Sequence, residues 1–284
     1  MSSTDSTKLI QIAHSPDSDD AFMFYGLATS KVRVPGFKFV HTLTDIETLN
    51  HRAINDPYYD VSAISFHAYP YVQDEYALMD CGGSVGEGYG PIVIAQKAFT
   101  HDELKKVRVA IPGELTTAYL TLKLFAPEIE TEMVPFTEIV PAVLAGQFEA
   151  GLLIHEGQLT YSTQGLKKVL DVGTWWREQT GLPLPLGANV VRRSLGRETM
   201  ETVTKAVRDS IQHGLDHRDE ALEYAMQFAR DLDPNLANRY VGMYVNERTI
   251  SFGEDGREAI RRLFEMGYER GVIPHRANVD IIGA

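Results

Sequence analysis

Residues 8–30 read KLIQIAHSPDSDDAFMFYGLATS, and the changes of pattern inside this stretch decide the fold class. Lys8 to Ala13 places Ile10 and Ile12 on one face of a strand. His14-Ser15-Pro16 breaks that strand, because proline lacks the amide proton and restricts the residue before it. From Asp20 the run AFMFYGLATS has the length of a helix and is too apolar for a surface, so it must be buried. The pattern then recurs. Lys38 to Leu43 reads as a strand, Asp45 opens the amphipathic segment IETLNHRAIN, and Tyr58 to Ser65 reads as a third strand. FHAYPYVQDEYAL, residues 66–78, reads as a helix. Such alternation predicts an α/β fold with a largely parallel sheet.

A glycine-rich segment interrupts the alternation: five glycines fall between Gly82 and Gly90, ahead of a β-like stretch from Ile92 to Gln96. The GxGxG within it lacks the strand-before, helix-after context of a dinucleotide fingerprint, so it reads as a mobile connection or binding loop. Then the pattern restarts. Thr100-His-Asp-Glu103 is a capping box. Lys106 to Ile111 is a strand running through Pro112-Gly113 into the helical ELTTAYLTLKLFA. Thr131 to Phe136 is a strand, Glu138 to Ala145 a helix, and Phe148 to Ile154 a strand ending at His155. Lys168 to Val172 closes the block, and Gly181-Leu-Pro-Leu-Pro-Leu-Gly187 reads as an extended return. From Glu198 to about Gly271 the chain is mostly helical. Residues 97–185 therefore read as a smaller α/β lobe inserted into a larger one made of 1–96 and 186–284. Two lobes joined by two crossing segments have the layout of a clamp that closes on a ligand.

Composition narrows the function. The 284 residues carry a net charge of −12, with 44% hydrophobic residues and a single cysteine. An acidic chain with no basic run is a poor partner for nucleic acid or an anionic membrane. Cys81 alone forms neither an internal disulfide nor a thiolate metal cluster. The polar start, Met1-Ser-Ser-Thr-Asp-Ser-Thr-Lys8, has no apolar core of a secretory signal, and no run is long enough to span a bilayer. A cytoplasmic protein acting on a small molecule is the expected class; oligomeric state leaves no mark in the sequence.

Three places can carry chemistry. Asp17, Asp19 and Asp20 sit where the first strand meets a helix, the usual mouth of a ligand site in open α/β sheets. Carboxylates suit a hard metal ion, but no calcium-loop pattern follows, and acidic residues here more simply cap the helix. Thr116-Thr117 opens a helix after a Pro-Gly turn, where hydroxyls and free amides can receive a carboxylate or phosphate, or merely cap. His155 ends a strand and is followed by Glu156; it is a general-base candidate against the alternative of a structural histidine. There is no P-loop or HExxH, and Trp175-Trp176 suits a core as well as a stacked ligand.

Taken together, several stretches resemble one family, the 1,4-dihydroxy-6-naphthoate synthases of the futalosine route to menaquinone. The matching residues are Ser15, Pro16, Asp20 and Phe22; Glu47-Thr48-Leu49-Asn50; Gly86, Gly88, Gly90 and Pro91; Thr116-Thr117-Ala118-Tyr119; Ala150 to Glu156; Gly181 to Gly187; and Tyr244-Val245-Asn246. They occur in family order from about Lys8 to Gly271. The resemblance implies a periplasmic-binding-protein-like type II fold turned cytoplasmic enzyme, using no metal and no organic cofactor. It implies a lyase that opens cyclic dehypoxanthinyl futalosine to 1,4-dihydroxy-6-naphthoate and a dihydroxyacetone fragment. It puts the base at His155 and substrate binding at Asn50, Ser65, Thr116 and Thr117. The alternatives are a solute-binding protein of the same fold, the chorismate-derived dehydratase of the same pathway, and a divergent member acting on a related small carboxylate.

One turn departs from the family pattern. Where the family usually reads Ser-Pro-Cys-Pro-Asn-Asp, this chain has Asp17 in the Cys place and Asp19 in the Asn place. Two added carboxylates would repel an anionic substrate. The expectation is that at least one of them caps the helix and that a substrate carboxylate binds towards Thr116 and Thr117.

Overall fold

A computed structural model describes residues 7–228 and 233–283; the polar start before Thr7 lies outside the described residues. Strands β1 (Lys8–His14), β2 (Phe37–Leu43), β3 (Val61–Ser65), β4 (Tyr76–Met79) and β5 (Ser84–Gly86) come first. Strands β6 (Ile92–Ala95), β7 (Arg108–Ile111), β8 (Glu130–Met133), β9 (Ala150–Leu153) and β10 (Lys167–Asp171) follow. The last two are β11 (Leu184–Arg192) and β12 (Ile281–Ile282). They form two mixed sheets. The larger runs β12-β4-β11-β3-β1-β2 with β5 paired to β11, and the smaller runs β10-β6-β9-β7-β8.

The sheets are mixed rather than largely parallel, and the reason is the crossings. In the larger sheet β1, β2 and β3 are parallel, while β11 runs antiparallel to β3 and β4. In the smaller sheet β7 is parallel to β8 and β9, while β6 runs against β9 and β10. Both β6 and β11 arrive from the other sheet. Each enters at the end where its parallel neighbours finish, so it must run the opposite way. Strand Ile92–Ala95 thus already belongs to the smaller sheet, ahead of the expected division at residue 97, and Leu184 to the larger one, ahead of 186.

Nine helices suffice to describe what covers the sheets: α1 (Ser18–Ala28), α2 (Ile46–Asn55), α3 (Thr117–Phe125), α4 (Ile139–Leu144), α5 (Val172–Thr180), α6 (Arg197–Asp216), α7 (Arg218–Ala225), α8 (Pro234–Tyr244) and α9 (Gly253–Glu269). Helix α1 is enclosed as its composition requires: Ala21 to Leu27 are all buried, with α6 and α7 packed over it. The core beneath it joins both chain ends, uniting Ile10, Ile12 and Phe22 with Val191, Val207, Ile211 and Ile282. The segment 66–78 is not one helix. A 3-10 turn (Phe66–Ala68) and a short helical turn (Tyr69–Val72) lead into strand β4. Nor is the glycine segment a free connection. Strand β5 pairs with β11, and a Cβ on Gly173 would lie 2.1 Å from the Tyr89 carbonyl, so backbone meets backbone there. Among the described residues, no helix is long and apolar enough to cross a membrane.

Candidate active site

The carboxyl ends of β1, β3, β7 and β9 converge on a cavity of about 130 Å³ between the two sheets. A dry cavity of roughly 150 Å³ accepts benzene, so this one is of ring size. Ser15, Ser65, Thr116, Thr117 and His155 line it, which brings four of the five residues singled out from sequence to one place. Asn50 stands one layer behind and is fully buried. Its Oδ1 accepts the Ser65 amide at 2.8 Å, and its Nδ2 donates to Ser65 Oγ at 3.1 Å and Glu47 Oε2 at 3.2 Å. Asn50 therefore holds Ser65 in position rather than touching the cavity.

His155 lies two residues past the end of β9 with a φ of 63°. A left-handed backbone costs an L residue about 1–2 kcal/mol, and histidine is among those that tolerate it. From there the imidazole reaches the opposite sheet, where Nδ1 is 2.9 Å from Oδ2 of Asp17. The Phe136 ring meets it edge-on, with centroids 4.9 Å apart. Nε2 makes no hydrogen bond to the described residues.

This pairing corrects the reading of the acidic turn. Asp17 occupies the N-cap position of α1, yet its side chain makes no cap hydrogen bond; its backbone carbonyl takes the Ala21 amide at 2.9 Å. The carboxylate is committed elsewhere: Ser15 Oγ donates to the same Oδ2 at 2.9 Å. Asp20 in turn accepts the Ser15 amide at 2.8 Å. Asp19 lines the cavity without a hydrogen bond to the described residues. Capping reasoning missed this because the partner of Asp17 comes from the other sheet.

The electrostatics follow from burial and from four acids around one histidine. Burial alone would lower the His155 pKa, but the charge and hydrogen bond of Asp17, aided by Glu156 and Asp19, push it up to about 9. Burial, then the charges of Asp20, Asp17 and Glu156, hold Asp19 well above the usual carboxylate range. Burial likewise pushes Asp20 up to about 6, against its bonds from Ser15. His14, stacked on Phe24 behind the turn, falls to about 4 through burial and stays neutral. Among the described residues, no group of three or more His, Cys, Asp or Glu side chains is placed to hold a metal ion.

Across the cavity, both threonine hydroxyls are occupied. Thr116 Oγ1 caps α3 by accepting the Tyr119 amide at 3.1 Å and donates to the Gly113 carbonyl at 2.8 Å. Thr117 Oγ1 donates to the Leu186 carbonyl at 2.6 Å and accepts the His67 amide at 3.3 Å. What remains for a ligand are the amides of Thr117 and Ala118, which find no acceptor among the described residues at this helix start. Tyr240, Tyr244 and Gln158 also line the cavity, with Tyr244 Oη donating to Gln158 Oε1 at 3.1 Å. The sequence offered only the motif around Tyr244 as a sign of them.

Comparison with known proteins finds relatives over nearly the whole chain. The model of a family described as menaquinone biosynthesis matches residues 10–269. A 1,4-dihydroxy-6-naphthoate synthase of Streptomyces coelicolor is 41% identical over 95% of this chain and 96% of its own length. One from Thermus thermophilus is 39% identical over 93% and 95%. A solved structure of an Archaeoglobus fulgidus protein superposes with a TM-score of 0.89 at 46% identity, covering 93% of this chain and 98% of that one. At 12% identity and a TM-score of 0.69, over 97% of this chain and 99% of that one, a Candida albicans protein described as having the generic periplasmic binding protein fold shares the architecture alone. With the family model matched from residue 10 to 269, and enzymes of that name related over nearly the whole length, the chain belongs to the menaquinone biosynthesis family.

Proposed function

We propose that this protein is a cytoplasmic carbon–carbon lyase. In this reading it converts cyclic dehypoxanthinyl futalosine to 1,4-dihydroxy-6-naphthoate and dihydroxyacetone. The observation that carries the reading is His155, held at Nδ1 by Asp17 with its other nitrogen unbonded among the described residues, in a ring-sized cavity shared with Ser65, Thr116 and Thr117. Breaking a carbon–carbon bond and aromatising the product requires a proton to leave a weakly acidic carbon. An imidazole in a water-poor cleft does this as general base. The amides of Thr117 and Ala118 suit the substrate carboxylate, on the side of the cavity away from the acidic turn. Ser65, fixed by Asn50, supplies a hydroxyl for a carbonyl or alkoxide oxygen. The two sheets act as the lobes of a clamp whose closing excludes water.

Incubation with cyclic dehypoxanthinyl futalosine, followed by mass analysis for the naphthoate, tests the activity; chorismate-derived substrate, run in parallel, tests the dehydratase alternative. His155→Asn is expected to lower kcat by ~10²–10⁴ with a smaller effect on KM. Undiminished turnover in that variant would remove the base. A second reading, a branch acting on a less anionic ligand, is favoured by one observation, the carboxyl of Asp19 in the cavity wall. A large gain in kcat/KM on the family substrate for Asp19→Asn would support it.

A further inference from the structure

We propose that Asp17 is the positioning residue of His155, and that the pair is assembled across the cleft with one partner on each sheet. This rests on the reading of His155 as the base and adds a part that the usual family turn, with Cys at this place, does not contain.

The geometry is that of a held carboxylate. The Asp17 side chain is 3% exposed and that of His155 15%, with Nδ1 and Oδ2 2.9 Å apart. Ser15 Oγ fixes the same oxygen at 2.9 Å, and Asp20 fixes the Ser15 amide at 2.8 Å, so the carboxylate cannot swing towards solvent. A carboxylate on Nδ1 makes that nitrogen the donor, and Nε2 can take a proton from carbon in the fraction of rings that are neutral, which grows as pH rises towards about 9. Phe136 against the ring limits its rotation. The turn Ser15-Pro-Asp-Ser-Asp-Asp20 thereby has a division of labour: Asp20 sets Ser15, Ser15 sets Asp17, and Asp17 sets His155.

The partners come from opposite walls. Asp17 precedes α1 on the larger sheet, and His155 follows β9 of the smaller one. Other bonds cross the same cleft, from Leu115 N to Glu47 and from Tyr244 to Gln158. Opening the cleft on this side would part the base from its carboxylate, so the base is complete only when the walls are together. Among the described residues, the charged groups facing His155 are Asp17, Asp19 and Asp20 from the turn and α1, and Glu156 beside it; the Tyr240 hydroxyl on α8 faces the same carboxylates. Asp17 is the one in contact, so its charge dominates the proton affinity of the ring.

The test compares the parent with Asp17→Asn and Asp17→Cys in kcat/KM from pH 5.5 to 10, with His155→Asn measured alongside. Neutralising Asp17 is expected to move the ascending limb down by about 1–3 pH units. It should also lower plateau kcat about 10–10⁴-fold, as a lost carboxylate partner does, while KM changes by no more than about threefold. A limb that stays within about 0.3 unit in both variants overturns the proposal, since a purely structural role would lower stability or kcat without moving it. Nitrogen-15 NMR titration of His155 in the parent and in Asp17→Asn reads the same pairing without turnover. A lower pKa in the variant supports it and an unchanged one overturns it. Turnover surviving in His155→Asn would instead defeat the base reading, and the NMR titration would still decide the pairing.

Discussion

Gly113 faces a buried carboxylate that ties the binding residues of the two sheets together. A Cβ at this position would lie 2.2 Å from Glu47 Cδ and 2.5 Å from Oε2, so Gly113→Ala must push the carboxylate aside. Glu47 is 9% exposed and is held: Oε1 accepts the Leu115 amide at 3.1 Å and Oε2 accepts from Asn50 at 3.2 Å. Hydrogen bonds to a charged group are worth about 1.5–3 kcal/mol each. The alanine also stiffens the unfolded chain, which returns about 0.4–1 kcal/mol. Losing one bond and weakening the other gives a net loss of about 2–4 kcal/mol, or about 4–10 °C in Tm for a chain of this size. Thermal unfolding of Gly113→Ala, Glu47→Ala and the double variant checks the mechanism. With Glu47 shortened to alanine, the three atoms nearest the new methyl are gone, and the second substitution should cost no more than a few tenths of a kcal/mol. Because Asn50 loses its anchor, KM should also rise in Gly113→Ala. An equal penalty for Gly113→Ala in both backgrounds would refute the reasoning and place the strain in the backbone instead.

The pH dependence of stability offers two checks of opposite character. The raised pKa of His155 gives stability that is complete below its unfolded value of 6.5 and is lost as pH rises through about 9. That loss, on the order of 3 kcal/mol, should be missing when His155→Asn is compared with the parent by urea unfolding at pH 6.5 and 9.5. Asp19 is a carboxyl whose folded pKa is raised, so it withdraws stability as pH climbs out of the usual carboxylate range. Asp19→Asn should therefore melt on the order of 2–4 °C above the parent at pH 8 and level with it at pH 4; a lower melting point at pH 8 would contradict the assignment. Thr117→Val strands the Leu186 carbonyl that now accepts at 2.6 Å, and should cost about 1–3 kcal/mol where Thr117→Ser costs little, as measured by calorimetry.

Chemistry is legible in the sequence wherever it is local. The capping box of Thr100 and Glu103 and the cap of Asp45 on the Thr48 amide each form within one turn, from residues whose spacing announces them. The strand Tyr76–Met79 is hidden, because a short apolar run of YALM fits a buried helix as well as a buried strand. Strand direction is hidden for a different reason: nothing in Leu184–Arg192 states that it enters its sheet from the far end. The site shows the same divide. His155 and Thr116-Thr117 are visible because strand ends and helix starts are chemically distinctive. Asp17 reads as a cap of its own helix because that helix is the only partner the sequence offers it. Asn50 is screened from the cavity by Ser65, a neighbour that only the folding of α2 against β3 supplies.

The misreading of Asp17 and the strain in the site have one origin. Three acids at a helix start would complement its free amides if they pointed along the axis. Here one carboxylate is turned sideways to a histidine, and the histidine reaches it only by adopting a left-handed backbone. Asp19 and Asp20 then sit close to Asp17, and burial and mutual repulsion raise both. The left-handed backbone and the crowded carboxyls each lower stability, and both fall within one turn of chain and the tip of one strand. Strain gathered where the cavity is, above a core that joins Ile10 and Phe22 to Val207 and Ile282, marks a place where position matters more than local stability. The carboxylate of Asp17 therefore serves His155 rather than the helix that follows it.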